Sequence, residues 1–314
     1  GHEFFVEGND TLLEAALRNG VSLNYGCSNG NCGDCKARLV SGEVKKVRAH
    51  DYVLKQADKD AGAILLCAYA PVNDVVIEAN VAGAHDIPMQ RLGAKVKSGE
   101  MFNSQIAALH ILTPRSQRLR YLGGQSIEVS IDGVRGRYAI ASCPCEDRNI
   151  ELQIPRRPGD AFAEAVFTTL KAGDVVALEG PYGEFVLDED SPRPAIFLAF
   201  GVGFAPIKSL IQHAMSLELI ESMDLHWLAD AAGHYQDNLC RTWADALDDF
   251  NYVPHAPTDD LESVLKSIVV DYPDLHRFDV YAAGTAAQLE QARAHFVRHG
   301  LPEVRWFAGA TDIY

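Results

Sequence analysis

The sequence predicts a multidomain chain of mixed α+β and α/β class: a small α+β unit, an antiparallel β-barrel and a parallel-sheet α/β unit. Three observations carry this. The chain has 314 residues, 47% of them hydrophobic, which is too much for one ordinary core. Its middle third is dominated by strand-like runs. From Pro194 onward, apolar strands alternate with helical stretches. The units expected are 1–82, 93–187 and 188–314, with 83–92 as a linker.

In the first unit, Asp10 is expected to cap a helix carrying Leu12, Leu13, Ala16 and Leu17 at helical spacing, and Gly20 to end it. Strand-like runs KARLV, AILLC and DVVIEA follow. The segment AGAHDIPMQRL mixes Gly, Pro and polar residues without periodicity, as a linker does. Runs QSIEVSI, RYAIAS and NIELQI, with one helix near Asp160 to Leu170, make a β-barrel the economical reading of the middle unit. In the last unit AIFLAF, LHWLA and FDVYAA alternate with helices at 205–218, 238–249 and 285–299, the pattern of a parallel sheet with crossover helices.

Composition excludes some functions. A formal charge of -15 leaves no basic face for nucleic acid. The acidity is uneven: residues 190–314 hold 8 Lys+Arg against 18 Asp+Glu, whereas residues 91–189 hold 12 and 13. The uncharged run Pro194 to Ile207, at 14 residues, is too short to span a membrane. Seven cysteines, an odd number with ligand-like spacing among four, fit a reducing cytoplasm better than a secreted disulfide framework. No membrane partner is expected, and the chain is expected to be a monomer.

The segment GCSNGNCGDC places Cys27, Cys32 and Cys35 in C-x4-C-x2-C spacing, and Cys67 closes the run AILLC, which reproduces the plant-type [2Fe-2S] ligand arrangement. Gly26, Gly30 and Gly33 are expected to supply backbone conformations that residues with a Cβ avoid, turning the loop tightly and aiming N–H groups at sulfur. The competing reading, a four-cysteine zinc site, prefers paired C-x2-C knuckles, and only one is present. Cys143 and Cys145 in SCPCED, and Cys240 on a helix, read as free buried or half-buried thiols.

On these residues the first unit resembles a plant-type ferredoxin domain of the β-grasp fold. The other two resemble the flavin-binding barrel and nicotinamide-binding domain of the ferredoxin-NADP reductase superfamily. RGRYAIAS is similar to the flavin signature R-x-Y-S-x-x-S, with GGQSIEV before it and GPYGEF after it. The resemblance implies FAD beside Tyr138 and Ser142, with Arg135 or Arg137 near its pyrophosphate, and Ala139 in place of a serine. In RRPGDAFAEAV it implies a phosphate-binding helix start at Arg156, Arg157 and Gly159, with Ala163 in place of Ser or Thr. An aromatic residue near the C-terminus commonly covers the flavin, and Tyr314 is available.

In GVGFAPIKSLIQHAM the resemblance implies a nicotinamide site at Gly201, Val202, Gly203 and Pro206, with Gly284 on a later strand. Phe200, Val202 and Ala283 depart from the usual pattern, and Phe200 is expected to narrow the nicotinamide slot. Asp230, with no Arg or Lys until Arg241, points to NADH over NADPH. The whole resembles the reductase components of oxygenases and the related deoxyhexose dehydration reductase. It implies that electrons pass from NADH through FAD and a [2Fe-2S] cluster to a partner protein, an oxygenase above all. The alternative is an electron carrier with the same modules and weak or no NADH oxidation.

Overall fold

The computed structural model describes residues 1–114, 117–146, 148–218 and 220–311. Its first helix, α1 (Leu12–Arg18), starts one residue later than expected. Thr11 is the N-cap, in a reciprocal capping box with Glu14, while the Asp10 carboxylate instead pairs with Arg18 at 2.6 Å. The helix packs Leu12, Leu13 and Ala16 into a core with Leu65, Leu66 and Cys67. The strands beneath are β1 (Lys36–Ser41), β2 (Val44–Lys46), β3 (Ala63–Leu65), β4 (Tyr69–Pro71) and β5 (Val76–Glu78), with the short helix α2 (Gln56–Asp60) between β2 and β3. They form one sheet of order β3-β1-β5 and a β2-β4 pair.

The middle unit consists of β6 (Gln90–Met101), β7 (Ile106–Leu112), β8 (Ser126–Ile131), β9 (Val134–Ala139), β10 (Asn149–Pro155), α3 (Ala161–Thr168) and β11 (Val175–Tyr182). β6 begins inside the segment expected to be linker, because Gln90 to Leu92 pair with Gly180 to Leu178 of β11. The sheet order β10-β7-β6-β11-β8-β9 is antiparallel throughout, and a bridge between Ile140 and Leu152 joins its ends into a barrel. Inward residues such as Leu109, Ile127, Val129 and Leu152 fill the interior, and α3 adds Phe162 and Ala163.

The last unit carries β12 (Ala195–Phe200), α4 (Phe204–Leu217), β13 (Met223–Leu228), α5 (Asp237–Ala246), β14 (Phe250–His255), α6 (Leu261–Asp271), β15 (Asp279–Gly284), α7 (Ala286–Arg298) and β16 (Trp306–Ala310). The sheet is parallel, in the order β14-β13-β12-β15-β16. β12, β13 and β15 are buried along their full length, as strands covered by helices on both faces are. The chain runs outward from β12 through β13 and β14, then returns to β15 on the other side. The C-terminal ends of β12 and β15 therefore form a topological switch point, where open α/β sheets hold ligands.

The units interlock. The turn after β11 pushes Phe185 into the core of the parallel-sheet unit, against Gly309, where a Cβ would lie 2.5 Å from the ring. The β6–β7 tip reaches the same unit through Asn103, which donates to the Ala232 carbonyl at 2.9 Å, and through Phe102, stacked on Tyr235. Among the described residues no helix is long and apolar enough to cross a membrane.

Candidate functional site

The four ligand-spaced cysteines meet at the end of the first unit in two pairs. Cys35 and Cys67 are buried, with their sulfurs 3.2 Å apart. Cys27 and Cys32 lie nearer the surface and exchange backbone contacts. Asn31 and Cys32 N–H donate to Cys27 Sγ at 3.2 and 3.3 Å, and Cys27 and Asp34 N–H donate to Cys32 Sγ at 3.3 and 3.4 Å. Burial pushes the Cys27 thiol up, but the amides of Asn29, Cys32 and Asn31 outweigh it, and the net is a lowered value. The hydrogen bond shared between the two sulfurs, above all, draws Cys35 down to about 7 while Cys67 itself is raised. Burial raises the Cys32 thiol too, so each pair holds one sulfur drawn toward thiolate, the ligating form, and one held as a thiol.

Gly30 and Gly33 do adopt left-handed φ, +85° and +84°, and their missing Cβ atoms leave room for His50 and Tyr52. Gly26 serves otherwise. Its φ is ordinary, and a Cβ there would sit 2.2 Å from Asp34 Oδ2 and 3.0 Å from Cys32 Sγ. Among the described residues no three His, Cys, Asp or Glu side chains converge on one metal position. Two thiol pairs with amides aimed at sulfur suit two irons, each held by a pair, better than one tetrahedral zinc.

A second site lies where the barrel meets the parallel sheet. A cleft of about 300 Å³, including its open mouth, is lined by Arg137, Tyr138, Ala139, Gln153, Pro155, Arg157, Val202, Ala205 and Thr311. Arg157 also borders an adjoining open groove with Arg156, Gly159 and Asp160, so one ligand can run from apolar walls onto positive charge. Apolar walls beside the guanidinium groups of Arg137 and Arg157 suit an isoalloxazine with its pyrophosphate by their chemistry. Tyr138 would flank the ring, and Arg137 and Arg157 would hold charge nearby. Tyr138 is fixed by Phe162, 5.7 Å away, and by donating its hydroxyl to Asp160 at 2.7 Å. Burial, then that bond, raises its pKa.

The expected flavin residues differ in their surroundings. Arg135 is exposed and pairs with Glu128 at 3.6 Å, while Arg137 lies over the Tyr182 ring at 3.7 Å as well as lining the cleft. Ser142 is fully buried. Its hydroxyl binds the Tyr121 hydroxyl and accepts from Glu151 N–H, which makes it part of the framework behind the cleft. Arg156 pairs with Glu164 at 3.1 Å on the surface. The start of α3 was expected to offer free amides to phosphate, but Asp160 occupies it and accepts from Ala163 N–H at 2.8 Å. A carboxylate already fills that role, and the Ala163 side chain faces the barrel core. Tyr314 lies outside the described residues. Gln153, Val202 and Thr311 complete the cleft. Val202 was read as a nicotinamide residue, and the other two carry no local motif that would mark them.

At the switch point, Gly201 to Gly203 form a tight turn before α4. Pro206 is the third residue of α4, at a position whose N–H the helix does not use. The glycines accommodate protein here. A Cβ on Gly201 would lie 2.3 Å from Asp230 Oδ2, one on Gly203 2.1 Å from the Ala283 carbonyl, and one on Gly284 2.5 Å from the Phe200 ring. Phe200 was expected to narrow the nicotinamide slot. It packs among Leu198, Leu265 and Leu289, because alternate residues of β12 face opposite sides, and its ring also lies against Gly284, itself an expected nicotinamide residue. Beneath the turn, Trp227 donates to the Gly201 carbonyl at 3.0 Å and stacks on Phe204 at 3.9 Å. Asp230 follows β13 with one oxygen accepting from Ala232 N–H at 2.8 Å and the other over Gly201.

One departure concerns the C-P-C pair, read as free thiols. Cys143 and Cys145 form a disulfide, since a turn at Pro144 brings the two side chains together. Cys240 is a free buried thiol, as expected.

Paired thiols in the first unit, an arginine-bearing cleft between barrel and sheet, and a nucleotide-type switch point together define an iron–sulfur flavoprotein oxidoreductase. Residues 1–72 match the 2Fe-2S iron-sulfur cluster binding domain family, and residues 93–187 match the oxidoreductase FAD-binding domain family. The chain is 33% identical to the CDP-6-deoxy-L-threo-D-glycero-4-hexulose-3-dehydrase reductase of Yersinia pestis, covering 98% of this chain and 94% of that one. It is 31% identical to DmpP, the reductase component of phenol 2-monooxygenase from Pseudomonas sp. strain CF600, over 92% and 84%. Among solved structures, the Amycolatopsis cytochrome P450 reductase GcoB is similar at TM-score 0.63 and 26% identity, over 99% and 96%. The chain belongs to the family of reductases that join a [2Fe-2S] ferredoxin domain to an FAD- and nicotinamide-binding module.

Proposed function

We propose that this chain is an NADH-dependent reductase that delivers electrons singly to a partner protein, an oxygenase being the expected acceptor. The observation that carries this reading is the packing of three units on one chain. Paired thiols, a cleft with two arginines and a nucleotide-type turn follow one another along the chain, and the cleft and the turn share Val202. FAD exchanges one or two electrons and a [2Fe-2S] cluster one, so together they make a hydride donor into a one-electron source. The chain's own residues bind and orient. Arg137 and Arg157 supply positive charge at the flavin cleft, Tyr138 and Val202 wall it, and the Gly201–Gly203 turn at the switch point receives the nicotinamide nucleotide. Thiols kept for iron suit a reducing cytoplasm, the proposed location.

NADH is favoured over NADPH because the free oxygen of Asp230, at the end of β13, would accept from ribose hydroxyls and repel a 2'-phosphate. A second acceptor, a deoxysugar dehydrase, is favoured by the 33% identity across nearly the whole chain to a dehydrase reductase. The test is anaerobic NADH titration. A reductase bleaches both its flavin and cluster bands, whereas a carrier stays oxidised until dithionite is added. In steady-state turnover with either nucleotide, Asp230→Ala is expected to shrink the NADH:NADPH ratio of kcat/KM about tenfold. A wild type indifferent to the two nucleotides would refute the assignment of Asp230.

A further inference from the structure

The barrel sends one positive charge across to the cysteine loop. Arg120, in the segment between β7 and β8, is 9% exposed. Gln90 clamps its backbone, accepting from the Arg120 N–H at 2.9 Å and donating to its carbonyl at 2.8 Å. The guanidinium then enters the first unit. Nη2 donates to Asn24 Oδ1 at 2.9 Å, and Cζ lies 4.8 Å over the Tyr25 ring. Asn24 and Tyr25 lead directly into Gly26 and Cys27. Arg120 also lines the cavity between the two units, with Leu23, Tyr25, Tyr121 and Pro144.

Arg38, Arg48, Arg91 and Arg241 each pair with a carboxylate. Among the described residues Arg120 has no such contact. Burial works against its charge, and the negative groups whose field reaches it are Tyr25, Asp34, Cys32 and Asp86 when ionised. A buried guanidinium without a carboxylate partner is costly unless an anion lies near. A cysteine-ligated iron–sulfur cluster is such an anion, and reduction adds one more negative charge to it.

We propose that Arg120 is a positioning residue for electron transfer, whose charge favours the reduced cluster and so draws the electron out of the barrel side. The proposal rests on the reading that Cys27, Cys32, Cys35 and Cys67 hold the cluster. In the step concerned, one electron enters from flavin reduced by NADH and leaves to the acceptor; Arg120 keeps its proton throughout. The barrel thereby sets the energetics of a centre it does not ligate, as groups around a metal site commonly do.

The test is a potentiometric titration of the cluster's absorbance and paramagnetic signal in the whole chain, comparing wild type, Arg120→Lys, Arg120→Gln and Asn24→Ala. Arg120→Gln is expected to shift the reduced:oxidised ratio at a fixed potential about tenfold toward oxidised. Arg120→Lys, which keeps the charge, and Asn24→Ala, which cuts the link but keeps it too, are expected to stay within about threefold of wild type. A wild-type ratio in Arg120→Gln overturns the proposal, and so does an Arg120→Lys shifted as far as Arg120→Gln. Should Arg120→Gln not retain its cluster, Arg120→Lys decides: a ratio within about threefold of wild type supports the role of charge, and a tenfold shift refutes it. Wild-type protein without iron would overturn the cluster reading itself, whereas iron present with an unmoved ratio overturns only this one.

Discussion

Lys208 and Glu151 form a buried ion pair across the barrel–sheet junction. Lys208 lies on α4 and Glu151 on β10, and their side chains are only 5% and 9% exposed. Glu151 also accepts from Gln153 Nε2 at 3.0 Å. Gln153 in turn donates to Gln236 at 2.8 Å, accepts from the Tyr235 hydroxyl at 2.7 Å, and lines the flavin cleft. Lys208→Met keeps the length and apolar stem of the side chain but strands a buried carboxylate. Breaking such a pair costs about 3–5 kcal/mol, whereas replacing both partners is often close to neutral. Adding Glu151→Gln to Lys208→Met should therefore restore most of the stability, with a coupling energy of at least about 2 kcal/mol. The assay is urea unfolding of wild type, both single variants and the double variant, followed by release of flavin fluorescence. Flavin retention in Lys208→Met should weaken along with stability, because Gln153 loses its fixed orientation. A Lys208→Met that costs under about 1 kcal/mol, or a double variant no better than Lys208→Met, would refute the reasoning.

Two further outcomes are expected. Purified protein should carry about two irons per chain and Cys32→Ser should lose or destabilise the cluster, as metal analysis and the visible spectrum would show; one zinc with no iron would contradict the ligand assignment. Acid should weaken the parallel-sheet unit through His226, whose pKa is lowered to about 3 by burial and then by His255, 3.1 Å away. The unfolded chain binds this proton near pH 6.5 and the folded chain does not, so stability falls as pH drops below about 6.5, by about 2 kcal/mol at pH 5, and the loss is complete only near the folded value. Urea midpoints at pH 7.5 and 5 should differ less in His226→Gln than in wild type, and an equal pH dependence in the two would rule His226 out.

The four cysteines were legible because ligation fixes residue type and spacing within one loop, and that chemistry is local. Apolar periodicity placed AIFLAF on a strand with both ends correct, since a strand buried on both faces must be continuously hydrophobic. The linker boundary was less legible, because strand pairing with β11 outweighs the weak local pattern of Gln90 to Leu92. Motif matching placed Tyr138 and Arg137 at the cleft but could not tell which neighbours turn away. Side-chain direction follows from pairing, and pairing set Arg135 beside Glu128 and Phe200 among Leu198, Leu265 and Leu289. The Cys143–Cys145 disulfide and Asp160 at the start of α3 were likewise decided by folding. The sequence by itself determined which chemistry this chain can host, since ligand types, glycine turns and apolar periods act over a few residues. Only the tertiary structure decided that Gln153, Thr311, Lys208 and Arg120 stand at the junctions, because these are contacts between distant parts of the chain, made once the three cores have packed together.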